Sequence, residues 1–169
     1  KKTLPTGGRT YNSSMNQSNQ QHIGWAYQIL PYMEYGNIYE IKTETWQQTV
    51  AGPASKHGIK EYRCPTRSSK LLLDYNGKGR MDYAAAIPGN PNSSSKIARQ
   101  FWMNSWVNPR AGDHHGMVIQ VPTLPISLSN VTDGTSNTVM VAEKWSRPAD
   151  YQGPGCAERG NGWFSGWNP

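Results

Sequence analysis

Glycine and proline interrupt this chain so often that its helices and strands must be short. The 169 residues include 17 glycines and 12 prolines. Proline removes a backbone N–H donor, and glycine loses more conformational entropy than other residues when it is fixed in regular structure. None of the apolar runs between these residues approaches the roughly 18 consecutive apolar residues of a membrane-spanning helix. We therefore expect a loop-rich domain built from several short elements.

Composition and charge narrow the classes of protein that fit this sequence. Its length is typical of one domain. Only 17% of its residues are charged, and seven tryptophans and nine tyrosines far outnumber two phenylalanines; such amphipathic aromatic residues can lie half-buried or bind at surfaces. The net charge is +6, but the densest basic group lacks the interleaved aromatic residues of a nucleic-acid-binding module, so we expect no nucleic-acid partner. That group comprises Lys56, Lys60, Arg63, Arg67 and Lys70.

Hydrophobic spacing predicts two short helices in the first third of the chain. Apolar residues recur at helical spacing over residues 23–33, and Pro31 should end or kink this helix near Leu30. Gly36 and Asn37 then indicate a helix stop followed by the N-cap of a second helix. The second helix would place four side chains on one face: Ile38, Ile41, Thr45 and Trp46.

The rest of the chain contains short strand candidates separated by turns. The strongest is Thr138–Ala142, which is β-branched and apolar, and Asp133-Gly134 before it is typical of a turn. Ile126–Ser129 alternates apolar and polar residues, as a half-exposed strand at a sheet edge does. Two short helices, several strands and much loop predict an α+β fold. Weaker candidates are residues 61–64, residues 81–86, which suit a strand or the start of a loop, and residues 118–121.

Three segments of the chain resemble one protein family. The first covers residues 24–34 (GWAYQILPYME) and 36–39 (GNIY), and the second covers residues 62–67 (YRCPTR) and 82–84 (DYA). The third covers residues 126–144 and contains ISLSNVTDGTSNT followed by VAEK. In this order they resemble a large planctomycete-type family of prepilin-like proteins of unknown function. That family is described as similar to type II secretion pseudopilin G, and sometimes as solute-binding.

The resemblance implies a fold and a cellular location. Such proteins carry a prepilin cleavage signal and a long apolar helix, followed by a loop that Leu4-Pro5-Thr6-Gly7-Gly8 resembles. They end in a segment where His is followed ten residues later by Asp-Gly. Neither the apolar helix nor the final segment occurs in this sequence. We therefore expect residues 1–169 to be a single extracellular pilin-like head domain that lacks both ends, with short N-terminal helices packed on a small antiparallel sheet with long loops.

The expected function is structural and non-catalytic. The precursor would be anchored in the inner membrane through the missing helix alone. Its head would lie in the periplasm or at the cell surface and contact copies of itself or other pilin-like subunits of a pilus- or pseudopilus-like assembly.

The sequence carries little that indicates an enzyme. No Gly-x-Ser-x-Gly nucleophile motif occurs, and no helix start follows Cys64 to activate its thiol. Asp113, His114 and His115 are expected to be exposed loop residues, because adjacent histidines point in different directions on a regular element. We expect no enzyme activity and no cofactor, with calcium as the one candidate exception.

The segment Asp133–Thr138 has two interpretations. As a turn, it would use Asp133 to cap backbone N–H groups, place Gly134 at positive φ, and use Ser136 and Asn137 to satisfy loop amides. As a cation site, it would offer Asp133, Asn137 and Glu143 to calcium, which some pseudopilins of the resembled class bind. Calcium needs about six to eight oxygen ligands, however, and one loop does not supply them.

Four tryptophans suggest an alternative function. Trp102 and Trp106 are four residues apart, as are Trp163 and Trp167, so each pair would share one face of a helix. Such pairs can pack in a core, or they can form a platform on which the apolar faces of sugar rings stack. The alternative function is therefore an extracellular glycan-binding module with a polysaccharide partner.

The two cysteines, Cys64 and Cys156, lack the spacing of a zinc site. In an exported protein, a disulfide between them would close a long loop and stabilise the fold by roughly 4 kcal/mol. Two buried thiols are the alternative.

Overall fold

The structure is a computed structural model with a small mixed α/β fold. It describes residues 3–7, 23–41, 53–66, 73, 77–86, 117–118 and 126–144. In those ranges no helix has the length and apolar character needed to cross a membrane. The helices are α1 (Trp25–Gln28) and α2 (Gly36–Tyr39), with 3-10 helices at Leu30–Met33, Pro53–Lys56, Lys60–Tyr62 and Leu128–Asn130; the strands are β1 (Tyr83–Ala85) and β2 (Val141–Glu143).

The first predicted helix ends where its proline requires. Helix α1 stops at Gln28, and Pro31 lies in the first turn of the following 3-10 helix, where the missing N–H costs nothing. Glu34 then takes a left-handed conformation with φ of 66° and separates this turn from α2. The N-cap of α2 is Tyr35, so the prediction of Asn37 is wrong by two residues.

The predicted second helix is shorter than its apolar spacing suggests. Helix α2 ends at Tyr39, and Ile41 lies beyond it as a half-buried residue packed against the core. Thr45 and Trp46 lie outside the described residues.

The prediction of a strand over residues 61–64 is wrong. Residues Lys60–Tyr62 form a 3-10 turn, in which the N–H of Arg63 donates to the Lys60 carbonyl at 3.1 Å. Tyr62, Arg63 and Cys64 are all buried. A strand with one exposed face would have turned one of these three consecutive side chains toward solvent, because successive strand side chains point to opposite faces.

Buried apolar side chains from both helices and from the following turns form one core. Tyr62 is 3% exposed, its ring meets Trp25 edge-on with centroids 6.3 Å apart, and the Tyr27 and Tyr39 rings stack at 5.0 Å. Tyr83 of β1 packs against this cluster and so joins the sheet to the helices. The buried members are Ile23, Ala26, Tyr27, Leu30, Ile38, Ala54, Ile59, Tyr62 and Met81.

The sheet pairs the weaker strand candidate 81–86 with the strongest one. β1 and β2 are antiparallel, with Ala84 opposite Ala142. The predicted strand 138–142 is displaced toward the C-terminus because Thr138 still belongs to the preceding turn, where its hydroxyl donates to the Gly134 carbonyl at 3.0 Å. Of the candidate 118–121, only Val118 is described, and it is buried.

Candidate functional site

The segment before β2, here the 126–140 loop, is ordered and largely exposed. Leu128 is 53% exposed and Val139 is 62% exposed, although both are large apolar residues. Exposed apolar side chains are common one at a time, but several within one segment can mark a contact surface. The 126–140 loop is therefore a candidate contact surface.

A capping box orders the first part of this loop. The Ser127 N–H donates to Asn130 Oδ1 at 3.0 Å, and the Ser127 side chain accepts from the Asn130 backbone N–H. The Ser127 hydroxyl also lies 2.6 Å from Asn130 Oδ1. These reciprocal bonds satisfy backbone groups that a short 3-10 helix leaves open at its start.

The second part of the loop is the predicted turn, and the structure confirms it. Gly134 has φ of 86°, a left-handed value that favours glycine. The Asn137 N–H donates to the Gly134 carbonyl at 3.1 Å, and the Asn137 side-chain amide donates to the Asp133 carbonyl at 3.2 Å. The loop thus satisfies much of its own backbone and leaves the side chains of Leu128 and Val139 facing water.

The structure brings two of the three predicted calcium ligands into contact. Asp133 and Asn137 are joined by the bond just described, and Glu143 lies on β2 opposite Tyr83. The side chains of Asp133 and Glu143 are exposed. Among the residues that the structure describes, no group of three or more His, Cys, Asp or Glu side chains is placed to hold a metal ion. Calcium binding stays a prediction.

A buried polar cluster fastens the end of β2 to the core. The Asp82 carboxylate accepts a bond from Arg63 Nε at 3.2 Å and another from the Cys64 N–H at 2.9 Å. The side chains of Arg63 and Asp82 are only 4% and 3% exposed. The Asp82 carbonyl accepts from the Lys144 N–H at 2.7 Å. One residue therefore links the 60–64 turn, β1 and the end of β2.

Sequence reasoning did not single out Asp82 or Arg63 as a pair. A signal was present, however, because the second family-like segment joins YRCPTR to DYA. Those two stretches are the ones that meet through this ion pair.

Burial and hydrogen bonding shift the acidity of several tyrosines. Burial is the main cause that raises the pKa of Tyr27 to about 12, and burial also raises the pKa of Tyr62. The Tyr35 hydroxyl donates to Glu61 Oε2 at 2.8 Å. This bond raises the pKa of Tyr35 and lowers the pKa of Glu61. All three tyrosines are therefore neutral at physiological pH and act as hydrogen-bond donors.

The remaining predicted site residues are only partly covered. Cys64 is buried, with its Sγ 3.1 Å from the Thr66 hydroxyl oxygen. Its predicted partner Cys156 lies outside the described residues, so the disulfide stays a prediction. The same holds for the tryptophan pairs and the acidic–histidine loop: Trp102, Trp106, Asp113, His114, His115, Trp163 and Trp167.

Short helices, a two-stranded antiparallel sheet and an exposed, turn-rich loop define a small mixed α/β protein. The chain belongs to the family SBP_bac_10, described as "Protein of unknown function (DUF1559)", whose model matches residues 1–168. No curated protein and no solved structure matches the chain. The family match confirms the coarse part of the resemblance, a family of unknown function that carries a solute-binding label.

Proposed function

We propose that this protein is a non-catalytic structural subunit of a pilus- or pseudopilus-like assembly outside the inner membrane. The proposal is supported by the resemblance of residues 24–39, 62–84 and 126–144 to prepilin-like proteins. In the precursor, a helix preceding these residues would anchor the subunit, and the described domain would be its pilin-like head. The partners would be further copies or other pilin-like subunits.

The observation that carries the proposal is the form of the 126–140 loop. Its backbone is held by the capping box and by the Asp133–Thr138 turn, while Leu128 and Val139 face solvent. Binding to another molecule would remove this apolar surface from water, which is favourable. Because the loop is already ordered, little conformational entropy would be lost on binding.

The fixed scaffold behind the loop suits a contact surface as well. β2 follows the loop directly, and its end is tied to the buried Asp82 through the Lys144 N–H. A subunit surface must keep its shape while it bears contacts on several sides. The bonds at Asp82 would supply that rigidity.

Site-specific photo-crosslinking in the native host tests the proposal. A photoreactive amino acid at position 128 or 139 of the full-length protein should give adducts with the same chain, or with a subunit whose precursor carries a prepilin cleavage site. The control is the same amino acid at the exposed Glu40, next to α2. With the photoreactive residue at position 139, Leu128→Asp should reduce the adducts, and with it at position 128, Val139→Asp should do the same, while far-UV circular dichroism stays unchanged.

Two results would contradict the proposal. One is adduct formation at position 40 equal to that at positions 128 and 139. The other is a binding activity of the kind that the glycan alternative predicts: quenching of tryptophan fluorescence by a polysaccharide, lost in Trp102→Ala or Trp163→Ala.

A further inference from the structure

The N-terminal segment 3–7, here the strap, is attached to the 126–140 loop at one end. The Leu4 N–H donates to the Ile126 carbonyl at 2.7 Å, and Thr3 pairs with Ser127 in an antiparallel bridge. Ser127 is also the residue that opens the capping box. The strap therefore contacts the loop at Ser127, the first residue of the capping box.

The other end of the strap is clasped by a single side chain of α1. Gln28 Oε1 accepts from the Thr6 N–H at 3.0 Å, and Gln28 Nε2 lies 3.1 Å from the Thr6 carbonyl oxygen and 2.8 Å from the Thr6 hydroxyl oxygen. The same Nε2 reaches the Ile23 carbonyl at 2.7 Å. Thr6 is only 2% exposed. The backbone and side chain of one buried residue are thus held by one glutamine.

Only Pro5 separates the two attachments, and its ring fixes its own φ near −65°. A movement of Thr6 relative to α1 would therefore also displace Leu4 and Ser127. The loop and α1 are far apart in the sequence, and the strap bridges them.

We propose that the strap couples the position of the chain at Thr3 to the position of the 126–140 loop. The hydrogen bonds between Gln28 and Thr6 hold the strap against α1 and make this coupling possible. This inference rests on the proposed function, in which an anchoring helix precedes Thr3 and the loop contacts other subunits. The orientation of the anchor would then be set relative to the contact surface. Release of the Gln28 clasp would loosen both the strap and the loop.

Residue-resolved amide hydrogen exchange, followed by NMR on the 169-residue chain, tests the coupling. In Gln28→Leu, exchange should become about tenfold faster at Leu4 and Thr6, and about threefold faster at Ser127 and Asn130, because each lost bond lowers the local opening free energy. The amides of Asp82 and Arg63, bonded to the Tyr62 and Lys60 carbonyls, should exchange as in the wild type.

Two further variants keep the test decisive. Thr6→Val removes only the hydroxyl contact, so it should accelerate the same four amides by a smaller factor even if Gln28→Leu folds poorly. Asn37→Ala, which truncates an exposed amide side chain on α2, should change none of them. Faster exchange at Leu4 and Thr6 without any change at Ser127 and Asn130 would overturn the coupling, and so would equal acceleration throughout the protein.

The outcome is separate from that of the crosslinking experiment. Exchange is measured on the isolated chain and needs no assembly partner. A failed coupling with successful crosslinking would remove the strap mechanism alone. The reverse result would remove the proposed assembly and leave the strap only as a mechanical link between α1 and the loop.

Discussion

The helical corner (residues 23–39 with the 59–64 turn) and the 126–140 loop are both built from short turns, but they use their side chains in opposite ways. In the helical corner, most aromatic and aliphatic side chains point inward, with Tyr32 as an 88% exposed exception, and the Tyr62 hydroxyl reaches the Ala26 carbonyl at 2.5 Å. In the loop, polar side chains bond to nearby backbone groups, while Leu128 and Val139 face solvent.

The difference shows where stability and recognition reside in this protein. The helical corner gains free energy from long-range packing, so each of its buried side chains contributes to folding. The loop is ordered mostly by contacts four or fewer residues apart, so its outward side chains contribute little to folding. Those side chains are therefore available for contacts with other molecules. Paired substitutions, one in each region, test this division.

The largest effect is expected for a pair of aspartates. Asp82→Ala should lower the free energy of unfolding by about 3–5 kcal/mol, because it leaves the buried Arg63 charge without its carboxylate partner. Asp133→Ala in the exposed turn should change it by less than about 0.5 kcal/mol. Urea denaturation measures both. Equal losses would show that the loop carries stability as the core does.

A pair of leucines tests packing in the same way. Leu30 is fully buried, so Leu30→Ala should cost about 2–4 kcal/mol through lost burial and the cavity left behind. Leu128→Ala should cost less than about 0.5 kcal/mol, because the side chain is half in water already. A loss above about 1 kcal/mol at Leu128 would mean that this residue is part of the fold and not of a contact surface.

Alkaline pH should act through the helical corner. The pKa of Tyr27 is about 12 in the fold against a reference value of 10.0. Between these values the unfolded chain loses the proton and the folded chain keeps it, so the contribution of Tyr27 to stability is constant below about pH 10 and falls as the pH rises toward 12. We expect a loss of roughly 1–2 kcal/mol from this group over that interval.

Denaturation at several alkaline pH values checks this slope. Tyr27→Phe should reduce it, with Tyr62 still contributing, and should cost about 1 kcal/mol at neutral pH through the lost bond to the Tyr39 carbonyl. Tyr32→Phe is the control, because Tyr32 is 88% exposed. If Tyr27→Phe kept the wild-type slope, burial of this hydroxyl would not be its origin.

Two glycines separate backbone strain from helix propensity. Gly134→Ala should destabilise the protein by about 1 kcal/mol, because φ of 86° is unfavourable for alanine. At Gly36 in α2, an added Cβ meets nothing within 4 Å, so Gly36→Ala should be neutral or stabilising by up to about 1 kcal/mol. Thermal melting of both variants tests the two predictions. A lower melting temperature in Gly36→Ala would contradict the one for Gly36.

Calcium should have the smallest effect. If Asp133–Thr138 is simply a turn, 10 mM calcium chloride should leave the melting temperature unchanged. A site with a Kd near 1 mM would stabilise the fold by about 1.4 kcal/mol under the same conditions. A rise that disappears in Asp133→Asn, but not in the control Glu40→Gln, would establish the cation site instead.

Sequence patterns identified several of the elements because the responsible signals are local. Pro31 predicts the end of α1, and Asp133-Gly134 predicts the turn, since proline geometry and positive φ do not depend on distant residues. The strand over residues 61–64 failed for the opposite reason. Tyr62 is buried through contacts with Ala26 and Trp25, and no pattern within four residues could reveal them.

The candidate site shows the same division. The turn around Gly134 was predictable, but the exposure of Leu128 and Val139 was not, because apolar residues of this kind are usually interpreted as core. The ion pair between Arg63 and Asp82 joins residues 19 positions apart. Only folding places them together.

The amino-acid sequence by itself determined the short elements, the turns and the loop-rich character of this protein, because glycine, proline and β-branched residues act on their own stretch of backbone. The tertiary structure alone decided which side chains became core, which charges paired and which apolar residues stayed in water. Those outcomes depend on burial, and burial is fixed only when distant segments such as the strap, the helical corner and the 126–140 loop come together.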